Sequence, residues 1–312
     1  MDRHHHWTGL PETARGTSAA IGNFDGVHLG HRHVIDIARA QGPLSVVTFD
    51  PHPREYFKPD AAPFRLMNPQ AKANRLAKLG VEQLFELPFD GEMVAMTPER
   101  FAREVLVDGL GLRHVVVGAD FCFGKNRLGT ASDLVHFGRE MGFGVTVANL
   151  LETTDGTVSS SSAIRTALSE GQPEKAAEML GHWHRIDGPV QHGDKRGRTL
   201  NFPTANMSID GLLPPKFGVY AVKIDILTGP YQGHYHGAAS LGVKPTFGDN
   251  RPCLETFLFD FKGDLYGQDL SVALVRYLRP EVAYTTLEAL VAQMDADCVQ
   301  AREILGTPVR AT

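Results

Sequence analysis

The sequence predicts an α/β N-terminal half on a largely parallel sheet, then a small antiparallel barrel or sandwich with a C-terminal helix. Three observations predict it. The chain has 312 residues, enough for two ordinary domains. In the first half short β-branched runs alternate with helical patterns, which implies parallel strands covered by helices on both faces. From about Trp183 the rhythm changes to period-two strands separated by glycine and proline, the mark of a small all-β unit. The expected domains are 1–182 and 183–312.

Taken in order, "AIG" at Ala20 to Gly22 ends a first strand. "RHVIDIARAQG" then places Val34, Ile37 and Ala38 on one helical face and stops at Gly42. "LSVVTF" (Leu44–Phe49) and "HVVVGA" (His114–Ala119) read as buried strands, and "FGVTVANL" as another. In "TPERFAREVLVDGLG", Thr97 caps a helix, Pro98 suits its first position, and Phe101 and Val105 recur four apart. "SEGQPEKAAEMLGHWHR" is a helical connector between the halves. In "GVYAVKIDIL", Tyr220, Val222, Ile224 and Ile226 share one face, with Lys223 and Asp225 on the other. "CLETFLFDF" and "LSVALVRYL" are strands that "KGD" is expected to join as a hairpin. In the last helix Thr285 with Glu288 forms a capping box. Its apolar stripe is Leu287, Leu290, Val291, Met294, Cys298 and Leu305.

Composition narrows the function. Hydrophobic residues make up 42% and charged residues 21%, and a net charge of -5 gives no global attraction to nucleic acid or anionic membrane. An anionic ligand must therefore be held by a local pocket. Cys122, Cys253 and Cys298 form no CxxC pair, which suits a reducing cytoplasm. No apolar run reaches the length of a transmembrane helix, and the N-terminus lacks a signal-peptide core. "HHH" at His4 to His6 reads as a solvated arm without function.

The stretch "GNFDGVHLGH" concentrates glycine and histidine between a strand and a helix. His28, His31 and His33 lack the HExxH helix and a carboxylate spaced to complete a zinc site. The stretch is neither GxGxxG nor GxxxxGK[ST]. "GADFCFGKN" also fails as a phosphate loop, with one residue too many and Asn126 in place of the hydroxyl residue. Favoured over zinc, and over histidines that only cap the helix and pack, is phosphate held at a helix N-terminus by backbone N–H groups and the macrodipole. His28 and His31 would add imidazole donors, and Asn23 and Asp25 would orient the loop. In adenylyl transfer such donors stabilise charge building on the leaving pyrophosphate.

"GNFDGVHLGH" resembles the HxGH signature of nucleotidylyltransferases. Its longer form resembles the N-terminal module of bifunctional riboflavin kinase/FAD synthetases. "TFDPHPREYF", "VVGADFCFG", "SSSSAIR", "GRTLNFPTAN", "GVYAV", "LGVKPTFG" and "LETFLFDFKGDLYG" match the same family in order, from about Ala20 to Ala301. The resemblance implies a Rossmann-like nucleotidylyltransferase domain that transfers AMP from ATP to FMN, giving FAD. It implies that His28 and His31 hold the ATP phosphates and that Gly22, Asn23, Asp25 and Gly30 shape the loop. Ser160, Ser161, Ser162 and Arg165 then resemble a second phosphate clamp. Taken alone, a serine run is an ordinary helix cap. Asp50 and His52 of "FDPHP" are expected in the flavin or nucleotide cleft. Asp120 and Phe121 follow a strand end, the usual place for ligands in open α/β sheets.

The second half resembles riboflavin kinase, which moves the γ-phosphoryl group of ATP to riboflavin in a small antiparallel barrel. That chemistry uses a metal on the phosphates and a base at the attacking hydroxyl. Family resemblance assigns Mg2+ and ATP to Thr204 and Asn206. Both leave the same face of an extended segment, and their neutral oxygens suit a magnesium that keeps waters. Glu255 is the expected base, sharing a strand face with Phe257, Phe259 and Phe261. Lys195 and Arg198 in "HGDKRGRTL" are expected in a loop covering phosphate. Asn201, Cys122 and Phe257 depart from the family's frequent glycine, arginine and histidine, and "SSSS" has one serine more than usual. Two other readings are a chain with one live activity and a flavin-binding protein without catalysis. Against the last, a binding protein needs neither a base nor a metal pair.

Overall fold

The computed structural model describes residues 1–149, 159–192, 202–243 and 251–306. The chain divides into two compact units, Met1–Ala62 with Lys72–Ser160, and Pro63–Ala71 with Ser161–Thr312.

The first unit holds β1 (Asp2–His4), β2 (Ser18–Ile21), β3 (Leu44–Asp50), β4 (Gln83–Pro88) and β5 (His114–Gly118). A short hairpin follows, β6 (Cys122–Phe123) with β7 (Gly129–Thr130), and then β8 (Gly144–Ala148). Apart from the hairpin, every pairing is parallel, in the order β1-β4-β3-β2-β5-β8. Val46, Val47, Leu84, Phe85, Val115 and Val116 are fully buried, as continuous β-branched runs require in a sheet covered on both faces. The chain builds outward from β2 through β3 to β4, then crosses back so that β5 pairs with β2 on the other side. The carboxyl ends of β2 and β5 therefore flank a topological switch point, where open α/β sheets bind ligands.

Helix α1 (Leu29–Arg39) follows β2, and its buried residues are Ile35 and Ala38, with Val34 and Ile37 half-buried beside them. Next come α2 (Pro53–Phe57), α3 (Pro69–Lys78), α4 (Gly91–Ala95) and α5 (Pro98–Arg100). The Thr97 hydroxyl accepts from Arg100 N–H as its spacing predicts. Beyond Phe101 the winding loosens into a π-helix to Gly109, with Leu110 N–H donating to Val105 O at 2.8 Å. Phe101 and Val105 remain buried on it. His5 and His6 are exposed, as expected of a solvated arm, but His4 corrects that expectation. His4 lies in β1, stacks on Phe85 with centroids 5.2 Å apart, and bonds Gln83 at 2.8 Å. The arm is recruited because the edge of β4 offers unpaired backbone groups.

The second unit carries α7 (Ser161–Ser169) and α8 (Pro173–Leu180), separated at Gly171, where φ is +77°; α6 (Ala131–Met141) belongs to the first unit. Its strands are β9 (Arg185–Pro189), β10 (Thr204–Ser208), β11 (Gly218–Ile226), β12 (Gly233–Val243), β13 (Pro252–Leu258) and β14 (Asp269–Arg279). They pair antiparallel in the order β10-β13-β12-β11-β14-β9. Gln191 N–H donates to Asn206 O at 2.8 Å and links the two ends, so the six strands form a barrel rather than a sandwich. Tyr220, Val222, Ile224 and Ile226 all point into its core.

The expected "KGD" hairpin is not formed: β13 pairs with β10 and β12, and β14 with β9 and β11. A tight turn does not join them, because residues 259–268 form a loop that turns at Asp260, where φ is +57°. The last helix, α9 (Leu287–Leu305), is capped one residue later than expected, the Thr286 hydroxyl accepting from Ala289 N–H. Leu287 is exposed, whereas Leu290, Val291, Met294, Cys298 and Leu305 are half-buried. The deepest contacts of the helix are Ala301 and a charged residue, Asp297.

Candidate active sites

In the first unit the β2–α1 turn is strained. Phe24 and Val27 are not glycine, yet they have φ of +51° and +45°. A β-branched residue in the left-handed region is a genuine outlier, and such strain persists where surrounding structure enforces it. Both side chains are buried, and Asp25 is buried between them in sequence.

His28 is the N-cap of α1. Its Nδ1 accepts from His31 N–H, and the Nδ1 of His31 accepts from His28 N–H, each at 3.3 Å. The two rings thus form a reciprocal capping box and stack with centroids 3.6 Å apart. Because both Nδ1 atoms accept, the neutral rings carry their protons on Nε2, which is then the donor of each ring. Gly30 is needed by this packing. A Cβ there would meet the His28 ring at 3.1 Å and the carbonyl oxygen of Ser159 at 3.3 Å. The start of the serine run therefore lies against the histidine turn.

Asp50 ends β3, and His52 caps α2, its Nδ1 accepting from Arg54 N–H at 3.0 Å. Asp120 and Phe121 follow β5 across the switch point, and Phe121 stacks on Phe123. Gly22, Asn23, Asp25, His28, Gly30 and His31 thus span the β2–α1 turn and the start of α1, Asp50 ends β3, His52 follows it, and Asp120 and Phe121 follow β5. Sequence reasoning missed the aromatic group at the ends of β3 and β4. Tyr56, Phe57 and Phe89 meet edge to face at 5.3 to 5.9 Å, and Phe57 is 61% exposed. An exposed aromatic next to the "FDPHP" turn was the available signal.

Ser160 closes the first unit, whereas Ser161, Ser162 and Arg165 belong to the second, where α7 begins at Ser161. There Arg165 Nε donates to Phe64 O at 2.8 Å, and its guanidinium lies over the Phe64 ring. Lys195, Arg198 and Asn201 lie outside the described residues.

In the barrel, Asn206 of β10 pairs directly with Glu255 of β13, which pairs in turn with Ser240 of β12. Ala205 and Met207 point into the core, so Thr204 and Asn206 project from the opposite face, together with Glu255. Phe257 and Phe259 share that face as expected, but Phe261 does not; it packs on the barrel core after the turn at Asp260. Asn206 Nδ2 donates to Thr204 O at 3.3 Å. Its Oδ1 is buried without a hydrogen-bond partner. A buried amide oxygen left in this state is costly by itself and is the donor type that magnesium takes, so Thr204 and Asn206 fit a divalent cation. Among the described residues no cluster of three His, Cys, Asp or Glu competes for a metal. A cavity of about 160 Å³ is lined by Thr204, Ala205, Leu258, Phe261 and Tyr266, and Asn206 and Glu255 are not part of its lining. Sequence reasoning also missed Glu281, which accepts from the hydroxyl of Ser240 at 3.2 Å.

Comparison with known proteins matches residues 10–162 to the FAD synthetase family model and residues 180–305 to that of riboflavin kinase. The chain is 40% identical over 297 residues to a bifunctional riboflavin kinase/FMN adenylyltransferase of Pseudomonas fluorescens, covering 93% of each chain. The protein of the same description from Escherichia coli is 38% identical over 296 residues, again covering 93% of each. A crystal structure described as a macrolide-efflux protein from Streptococcus pneumoniae superposes with a TM-score of 0.79 at 29% identity, covering 95% of this chain and 96% of that one. No helix among the described residues here is long and apolar enough to cross a membrane.

Proposed function

The chain belongs to the family of bifunctional riboflavin kinase/FMN adenylyltransferases, and from that premise we propose how its residues divide the chemistry. The C-terminal part phosphorylates riboflavin with ATP to FMN, and the N-terminal part adenylylates FMN with ATP to FAD and pyrophosphate. We assign these reactions to residues 183–312 and 1–182.

The two reactions have nucleophiles of opposite kinds. FMN attacks through a phosphate monoester, largely an oxyanion at neutral pH, so its site needs charge stabilisation rather than a base. The bond between the α-phosphorus and its bridging oxygen breaks, and charge gathers on the departing pyrophosphate. The Nε2–H donors of His28 and His31 and the positive end of α1 meet that charge. Gly22, Asn23, Asp25 and Gly30 hold the turn, and Ser160, Ser161, Ser162 and Arg165 form the second phosphate clamp. Asp50, His52, Asp120 and Phe121 bound the cleft, and the exposed ring of Phe57 offers the flavin a face.

Riboflavin attacks instead through a neutral ribityl hydroxyl. Glu255 takes that proton as the oxygen bonds to the γ-phosphorus, and ADP departs. Thr204 and Asn206 would hold Mg2+, which supplies neutralising charge to the ATP phosphates. Lys195 and Arg198 are assigned to binding the ATP phosphates. The single observation supporting this arrangement is the Asn206 Oδ1: a buried acceptor without a partner, directly across the ladder from a carboxylate. With its three cysteines far apart in sequence and in no CxxC pair, we place the enzyme in the cytoplasm.

The test is a time course of purified protein with riboflavin, ATP and magnesium, the flavins being separated by chromatography. FMN appearing first and FAD following is the expected result. FMN alone would leave one live activity, and bound riboflavin without conversion would make the chain a flavin-binding protein.

A further inference from the structure

Lys72 is a charged residue that the chemistry above does not use. It sits on α3 and is only 8% exposed, an unusual state for an ammonium group. Its Nζ donates to the hydroxyl of Thr48 at 3.1 Å. Thr48, fully buried on β3, donates in turn to the backbone carbonyl of Asn23 at 3.1 Å. The direction of this chain is fixed. An ammonium only donates, so the Thr48 oxygen receives a proton from Lys72 and its own hydrogen is directed to Asn23.

Asn23 is the residue before Phe24, the first of the two strained positions in the β2–α1 turn. The carbonyl held by Thr48 belongs to the Asn23–Phe24 peptide, and its orientation is set by the same torsions that carry the strain. A strained turn needs an external restraint to persist, and two hydrogen bonds anchored on a buried charge supply one.

We propose that Lys72 is a positioning residue for adenylyl transfer: acting through Thr48, it locks the Asn23 carbonyl and so holds the left-handed turn that delivers His28 and His31. This rests on the assignment of adenylyl transfer to that turn. Lys72 acts without touching substrate, and its buried positive charge also favours the polyphosphate that the turn receives.

Four variants of the full-length protein test this: Thr48→Val, Thr48→Ser, Lys72→Met and His28→Ala. Each is assayed for FMN to FAD and, on the same chain, for riboflavin to FMN. A displaced turn should lower kcat for FAD formation by about 10- to 100-fold in Thr48→Val and Lys72→Met while changing KM for FMN little. Thr48→Ser keeps the hydroxyl and should restore the rate, which a packing role for the Thr48 methyl group would not allow. Riboflavin phosphorylation should stay at the wild-type level in all four. The proposal is overturned if Thr48→Val or a folded Lys72→Met matches wild type, or if Thr48→Ser and Thr48→Val are equally slow. If Lys72→Met does not fold, the Val and Ser pair at position 48 still decides. Should His28→Ala retain FAD formation, the assignment of the reaction to this turn fails instead.

Discussion

Glu255 and His28 illustrate how a single residue can separate two activities in one chain. Glu255→Gln removes the proton acceptor while keeping size and hydrogen-bonding shape. FMN formation should be abolished and FMN-to-FAD conversion preserved. His28→Ala should do the reverse, because losing one donor to a developing oxyanion costs about 10²-fold or more. Both are read by the same flavin chromatography, and FMN formation by Glu255→Gln at the wild-type rate would refute the base assignment. Asn206 permits a sharper test. Its buried oxygen lacks a partner, so in the unliganded protein it contributes cost rather than stability. Asn206→Leu should therefore eliminate FMN formation while leaving the melting temperature of the unliganded protein unchanged or raised. A large drop in melting temperature would show that the amide is structural.

At the scale of elements, α9 is held by an ion pair that hydropathy does not reveal. Arg279 of β14 donates from Nε and Nη2 to the two oxygens of Asp297, at 2.8 and 2.6 Å, and Gln293 adds a third bond. The pair holds the guanidinium above its ordinary pKa, chiefly through the hydrogen bond to Asp297. Asp297→Ala removes the carboxylate while Arg279 keeps its bond to Pro280 O, and it should destabilise the second unit by about 2 kcal/mol, measured by urea unfolding. The apolar pattern did predict a helix here and placed Leu290, Met294 and Cys298 correctly on its packed side. It extended the stripe to Leu287 because periodicity registers composition and not where the barrel surface ends. The strand runs were legible for a similar reason: Tyr220, Val222, Ile224 and Ile226 alternate because a barrel wall has an inside. The pairing partner of β13 was not legible, since Leu254 and Leu258 would face a core in either arrangement. The histidine turn was legible as a motif, but the Nδ1 exchange that fixes both tautomers and the Lys72–Thr48–Asn23 chain depend on residues far apart in sequence.

For the whole molecule, two compact units with separate cores need not unfold together, and acid should expose the difference. His184 lies in the second unit, 4% exposed, and burial pushes its pKa from 6.5 to about 3, with His182 adding to the shift. Its folded pKa lies below its unfolded one, so the unfolded chain takes up this proton first. The stability associated with neutral His184 is intact above about pH 6.5 and is lost progressively as the pH falls towards 3. The slope is about 1.4 kcal/mol per pH unit, or roughly 2 kcal/mol by about pH 5. In the first unit burial lowers the pKa of His114 as well, but that ring is only half-buried and bonds Thr146, so the effect there is smaller. Brief exposure to mildly acidic buffer, followed by assay at neutral pH with a protease present to remove unfolded chains, should cost riboflavin phosphorylation before FMN adenylylation. His184→Phe, which keeps an aromatic ring without the titrating nitrogens, should bring the two losses closer together. Simultaneous loss in the wild type would mean that the units unfold as one. Earlier loss of adenylylation would place the acid-sensitive group in the first unit and rule out His184 as the determinant.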